Sequence, residues 1–226
     1  SRWSRGLGDV YKRQMLFFAS YHFMLQVTDA LRERYPALEL RLQQRDASEA
    51  QRTAFLDAFR DSSAILGCAI MGGVFGEGVD YPGDMLLGTI IVGTGLPGIS
   101  TEQELLRHDY DAAGLNGFDF AYRFPGICRV LQAAGRVIRS ETDRGVVVLI
   151  DGRFATAAYR QLMPAHWQIQ HCTDPENVAV TLQQFWQREP DAASSSDTGT
   201  EDVKRGQQHA RPHEMPVSAR AHSSPG

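Results

Sequence analysis

Two stretches of the chain combine residue types that could do phosphate chemistry. MGGVFGEGVDYPGD (71–84) carries Gly72, Gly73, Gly76 and Gly78, with the carboxylates Glu77 and Asp80 among and after them. Without a Cβ the backbone can turn sharply and come close to a ligand, and the two carboxylates then sit at the loop's mouth. QAAGRVIRS (132–140) places Gln132, Arg136 and Arg139 at i, i+4 and i+7, so a continuous helix would align them on one face. Ala133, Ala134 and Gly135 permit close packing behind that face. Arginines so presented suit a phosphate, because the planar guanidinium stays charged and can hold two oxygens at once. Taken singly, the first stretch also reads as an ordinary flexible turn and the second as a solvated basic helix face.

Other candidates are weaker. GTGLPG (93–98) has the G-x-G-x-x-G form of a dinucleotide-binding turn after an apolar strand. Pro97 interrupts it, and Leu115, Asn116 and Gly117 occupy the place where an acid-ended strand is required, ~20 residues on. His108 with Asp109 and Asp111 could bind a metal or move protons, but reads more simply as a polar helix end. Tyr110, Phe118, Phe120, Tyr122 and Phe124 could stack bases; core packing or a surface between lobes is the plainer use. Cys68, Cys128 and Cys172 form no C-x-x-C pair or Cys/His cluster and read as buried free thiols.

The elements that must position these residues alternate between strand and helix. MLFFAS (15–20), LELRL (38–42), SSAILGCAI (62–70), LLGTIIVG (86–93) and VVVLID (146–151) are strand-like. Helical spacing runs through 21–35, up to Pro36, and resumes after Ser48 with Phe55, Leu56 and Phe59 on a buried face. Further helices are expected through TEQELLRHDY, over 126–139, and as a last pair near 153–162 and 175–187. Strands separated by helices imply right-handed βαβ units and an α/β fold, a parallel sheet flanked by helices on both faces. Ligands then gather at the carboxyl ends of the strands. With 42% hydrophobic and 22% charged residues, the composition is that of a globular domain. A net charge of −4 offers no global attraction for nucleic acid, so any such contact must be local.

In order and separation the two stretches become more specific. GGVFGEGVDYPG, TIIVGTGLP and QAAGRVIRSETDRGVVVLIDGRF together resemble motifs V and VI of the DinG/XPD branch of superfamily 2 helicases, and FFASY (17–21) resembles its motif IV strand and turn. The resemblance covers residues 15–187. It implies a RecA-like C-terminal motor lobe of an ATP-dependent DNA helicase. Arg136 and Arg139 match the arginines that reach the γ-phosphate, where they stabilise charge on the departing phosphoryl group. Gln132, Glu77, Gly78 and Asp80 match nucleotide-site positions. Ser20 and Tyr21 match the motif IV turn, implying a contact with the nucleic-acid backbone. Asp151 and Arg153 match a D-x-R pair read as structural.

The rest of a motor is not in the sequence. The only lysines are Lys12 and Lys204, so no G-x-x-x-x-G-K-[ST] loop exists, and no Asp-Glu dipeptide can serve as motif II. The resemblance therefore implies that ATP and Mg2+ are shared with a missing first lobe in cis, which is also where any iron–sulfur cluster would lie. The isolated chain is expected to be inactive. SRGLGDVYKRQ (4–14) resembles a translated sequencing adapter, so residues 1–14 are read as a non-native leader. Residues 188–226, rich in Ser, Ala, Gly, Pro, Arg and His, are expected to be a disordered tail. The implied partner is single-stranded or forked DNA. No membrane segment or secretory signal is evident, and the expected location is cytoplasmic. The competing reading is a non-catalytic RecA-like module that binds nucleic acid or a partner.

Overall fold

A computed structural model of the chain describes residues 13–62, 64–79, 81, 86–137 and 145–187; of residue 77 it describes the backbone. The bulk of the leader (1–12), the tail (188–226), Asp80 and Arg139 lie outside the described residues. Five strands, β1 (Gln14–Phe18), β2 (Leu40–Leu42), β3 (Leu66–Ile70), β4 (Gly88–Val92) and β5 (Val146–Ile150), form one sheet in the order β2-β3-β1-β4-β5. Every pairing is parallel. The sheet and its orientation are those expected from the sequence. β1 takes in Gln14, which pairs with Leu66 and Gly88, and the Arg13 guanidinium donates to the Ser62 carbonyl (3.2 Å).

The central strand shows why both faces must be covered. Side chains alternate along a strand. Met15 and Phe17 therefore enter one core with Phe55, Phe59, Ile127, Val130 and Ala133, while Leu16 and Phe18 enter the other with Met24 and Cys68. The first core packs against α2 (Glu49–Asp61) and α5 (Phe124–Ala134), the second against α1 (Tyr21–Arg34). The chain crosses the sheet one way from β1 to β2 and returns from β2 to β3. Right-handed crossovers then require α1 and α2 on opposite faces. Gly67 of β3 is held to glycine by this packing, since a Cβ there would overlap both Met15 and Phe59.

Local signals set the helix starts. Ser20 caps α1 by accepting from the Phe23 amide, and Ser48 opens α2 through a full capping box with Gln51. The one-turn α3 (Val74–Glu77) follows β3, and α4 (Thr101–Ala112), capped by Ser100, follows β4. A π-helical turn over Asp119–Arg123 leads into α5. The expected helix near 153–162 is instead a 3-10 turn (Gly152–Ala155) and the short α6 (Ala157–Arg160). α7 (Pro175–Gln187) ends the described body, with Leu182 and Trp186 beside Ile90, Val146 and Val148. The aromatic residues before α5 pack on one another: Tyr110 stacks on Phe120 (4.6 Å) and Phe118 on Tyr122 (5.5 Å). Of the three thiols only Cys68 is buried, and its pKa is pushed up to about 12 by that burial. Cys128 is exposed on α5, contrary to the buried reading.

Candidate functional site

All five strands point the same way, so the turns at Ser20, Gln43, Met71, Gly93 and Asp151 share one edge of the sheet. The glycine-rich loop after β3 is stitched to the strands beside it. Met71 N–H donates to Phe18 O (2.9 Å), Gly73 N–H to Ile70 O (3.2 Å) and Gly76 N–H to Gly73 O (2.9 Å). From β2, the Gln43 side-chain oxygen accepts from the Ile70 amide (2.9 Å). Gly72, at φ +74°, has the left-handed backbone that favours glycine. Beneath the loop Phe75 stacks against Phe55 (4.2 Å), and the buried Tyr81 hydroxyl donates to Phe75 O (3.3 Å). Burial raises the Tyr81 pKa, against a smaller opposing pull from the positive charge of Arg136.

Gln132 and Arg136 are not aligned on one helix. α5 ends at Ala134, and the chain tightens as Arg136 N–H bonds Ala133 O (3.3 Å) and Val137 N–H bonds Ala134 O (3.2 Å). Gly135 stands at the C-cap, and the chain beyond it turns across the sheet edge. Arg136 Nε donates to Gly76 O (2.9 Å) and Nη1 to Val79 O (3.1 Å), drawing the arginine onto the glycine-rich loop. Residues 57 and 60 positions apart are thus joined by one guanidinium. Gln132 stays on the last turn of α5, exposed. Gly78 ends α3 and is exposed; Glu77 is the last residue of α3. The structure therefore brings Arg136 to the loop that holds Glu77 and Gly78, and leaves Gln132 without a described contact to it.

Ser20 and Tyr21 stand at the end of β1, flanked by β3 and β4. The Ser20 hydroxyl is engaged by α1, accepting from Phe23 N–H (3.3 Å), and the Tyr21 hydroxyl donates to Gln44 O (3.3 Å). Asp151 accepts from the Arg153 backbone amide (2.9 Å), Nε (2.9 Å) and Nη2 (2.7 Å), which closes the turn after β5. Those bonds hold the Asp151 carboxyl below the usual carboxylate range.

Sequence reasoning missed Arg129. From the middle of α5 its Nη1 donates to Gly95 O (3.2 Å), and its Nε lies 3.0 Å from where a Cβ on Gly72 would stand. It thereby touches the loops after both β3 and β4, a role that only the fold makes visible. In the GTGLPG turn Gly95 lies directly against α5: a Cβ there (φ +67°) would stand 2.7 Å from Gly126 O. Among the described residues no three His, Cys, Asp or Glu side chains gather as a metal site, and no helix is long and apolar enough to cross a membrane.

Comparison with known proteins gives this edge a family. Residues 8–170 match the family model described as the helicase C-terminal domain. The ATP-dependent helicase DinG of Mycobacterium tuberculosis (strain H37Rv) is 34% identical over 104 residues, covering 43% of this chain and 15% of that protein. The 3'-5' exonuclease DinG of Bacillus subtilis (strain 168) is 28% identical over 153 residues, 66% of this chain and 16% of that protein. The chain thus spans about a sixth of the length of these relatives. A solved XPD helicase structure shares the fold, with a TM-score of 0.54 at 22% identity over 71% of this chain and 29% of that one. A second, apo XPD structure gives 0.54 at 21% identity over 70% of this chain and 33% of that one. A family model covering most of the chain, relatives and fold agree: the chain belongs to the helicase C-terminal domain family, as the C-terminal helicase domain of a DinG/XPD-type helicase.

Proposed function

We propose that this chain is the second motor lobe of an ATP-dependent DNA helicase, supplying arginines and strand contacts for ATP-driven translocation and unwinding. The observation that carries the reading is the Arg136 guanidinium, which ties the end of α5 to the carbonyls of Gly76 and Val79. A motor needs such a tie, because the nucleotide-facing and strand-facing loops must move as one. Within it Arg136 positions the glycine-rich loop and stands at the nucleotide cleft. Arg139, three residues further, is the arginine finger, and Gln132, Glu77, Gly78 and Asp80 border the nucleotide. Ser20 and Tyr21 meet the backbone of single-stranded or forked DNA.

These residues fit half of a site for ATP and Mg2+. The chain offers arginines for the γ-phosphate but no P-loop lysine, since its lysines are Lys12 and Lys204 alone. When bound, the magnesium nucleotide supplies the scissile phosphoanhydride and a first share of charge neutralisation. An N-terminal lobe in cis completes the cradle, and any iron–sulfur cluster of the parent belongs to that lobe.

Two measurements test the reading. The purified chain is expected to show no nucleic-acid-stimulated ATP hydrolysis, and turnover by the chain alone would defeat it. In the full-length parent, Arg139→Ala is expected to lower kcat by a factor on the order of 10³ or more, the usual worth of an arginine finger, with folding intact. Normal turnover in that variant would remove the finger assignment.

A further inference from the structure

The loop between β2 and α2 was silent in the sequence, yet it stands on the same sheet edge as the proposed strand contact. It is firmly built. Gln43 N–H donates to Cys68 O (2.8 Å) while its side chain holds the Ile70 amide. Gln44 O receives the Tyr21 hydroxyl, and Gln44 Oε1 accepts from Gln51 Nε2 (2.6 Å), itself part of the α2 capping box. Asp46, at φ +56°, completes a tight turn. What this frame presents is Arg45, exposed, with its guanidinium carbon 4.9 Å from the centre of the Tyr21 ring.

Arg45 and Arg34 each rest on an aromatic ring, but Arg34 ends α1, a full helix length from Tyr21 on the carboxyl edge, where Arg45 lies. Arg32, Arg52, Arg60 and Arg107 each pair with a carboxylate three residues earlier on the same helix. Among the described residues no carboxylate lies within ion-pair distance of Arg45; its neighbour Asp46 is the nearest acid along the chain. A guanidinium resting on an aromatic face is oriented by the ring and keeps in-plane N–H groups for another acceptor. The fork geometry of those groups matches phosphate oxygens.

We propose that Arg45, held on the Tyr21 ring, is a phosphate-binding residue for single-stranded nucleic acid, extending the strand path from the end of β1 onto the loop after β2. This rests on reading the lobe as a nucleic-acid motor. The strand then crosses the carboxyl edge over Tyr21, and Arg45 holds one backbone phosphate there without reading a base.

The test is binding of a fluorescent oligothymidylate to the chain across a salt series. Removing one cation from the phosphates of a single strand lowers the slope of log K against log salt by ~0.7. Arg45→Ala is expected to weaken binding several-fold and to reduce the slope by about that amount, with an unchanged melting curve. Arg45→Lys is expected to keep the slope, because the charge remains. Arg60→Ala, at the far end of α2, is the control and is expected to leave the slope unaltered. An Arg45→Ala slope equal to wild type would overturn the assignment and leave the motor reading standing. Equal losses in the Arg60 and Arg45 variants would overturn it too, revealing diffuse charge attraction. Failure of the wild-type chain to bind would remove both the strand contact and Arg45.

Discussion

Removing the Arg136 side chain discriminates sharply between a strut and an arginine that merely waits in solvent. In the structure its guanidinium donates to Gly76 O at 2.9 Å and Val79 O at 3.1 Å, and both residues are buried. A hydrogen bond to a charged group is worth about 1.5–3 kcal/mol, and a buried carbonyl left alone forfeits its share. Two such bonds, partly replaced by water in the variant, put the cost of Arg136→Ala at ~3 kcal/mol. For a domain of this size that lowers Tm by roughly 6–12 °C. In urea, with a slope of ~2 kcal/mol per molar, the midpoint falls by ~1.5 M at an unchanged slope. Arg136→Lys keeps the charge on a single point donor and is expected to recover about half, one of the two bonds. Amide exchange at residues 74–79 should accelerate in the alanine variant, while β1 and β4 stay protected. A stability loss below ~0.5 kcal/mol, the scale of ordinary surface substitutions, would refute the strut.

Two further outcomes follow from the same geometry. Gly95→Ala places a Cβ 2.7 Å from Gly126 O at φ +67° and is expected to cost about 2–4 kcal/mol, whereas Gly98→Ala, with nothing within 4 Å, should cost less than ~0.5; equal melting temperatures would contradict this close packing of turn on α5. Asp151 has its carboxyl pKa lowered first by the Arg153 side chain, so the folded form favours the ionised state. Its stabilisation is present above the unfolded carboxylate value, ~3.9, and is lost as pH falls through the lower folded value. Unfolding curves for wild type and Asp151→Asn should therefore separate at neutral pH and converge in acid, and a pH-independent gap would exclude this carboxylate as the source.

The sheet was legible because its strands are short apolar runs bounded by turn residues: MLFF is buried in the central strand, and VVVLI, rich in β-branched residues, forms the half-buried edge strand. The serine cap at Ser48 was legible for an equally local reason, since its bond spans three residues; Ser20 and Ser100 cap α1 and α4 in the same way, although neither was read as a cap from the sequence. The end of α5 was not. Gln132, Arg136 and Arg139 keep helical spacing through Gly135, which in the sequence reads as a small packing residue although it stands at the C-cap. Beyond it the carbonyls of Gly76 and Val79 hold Arg136 from across the fold, a contact that no local pattern shows. Arg129 and Arg45 were invisible for the same reason. Their partners, Gly95 and the Tyr21 ring, are 34 and 24 positions away, and an isolated arginine carries no pattern. Short-range order is written in the sequence here, while the site consists of contacts between the ends of separate strands.

That distribution of contacts bears on how a motor of this kind would transmit force. Arg129 and Arg136 sit on and just beyond α5, seven residues apart, and grip the loop after β3 near Gly72 and at Gly76 and Val79. Arg129 also reaches Gly95 beyond β4. These contacts link α5 and the residues just beyond it to both loops. Under the proposed role, a γ-phosphate at the cleft competes with two neutral carbonyls for the Arg136 guanidinium. The bonds to Gly76 and Val79 are already charge-assisted by the guanidinium, and a phosphate would add charge on the acceptor side, so under that role it would draw the arginine only while it is present. Once it had left, the two carbonyls would hold the arginine again, as they do in this structure. Under the proposed role, that exchange would tie the glycine-rich loop to nucleotide occupancy through one side chain.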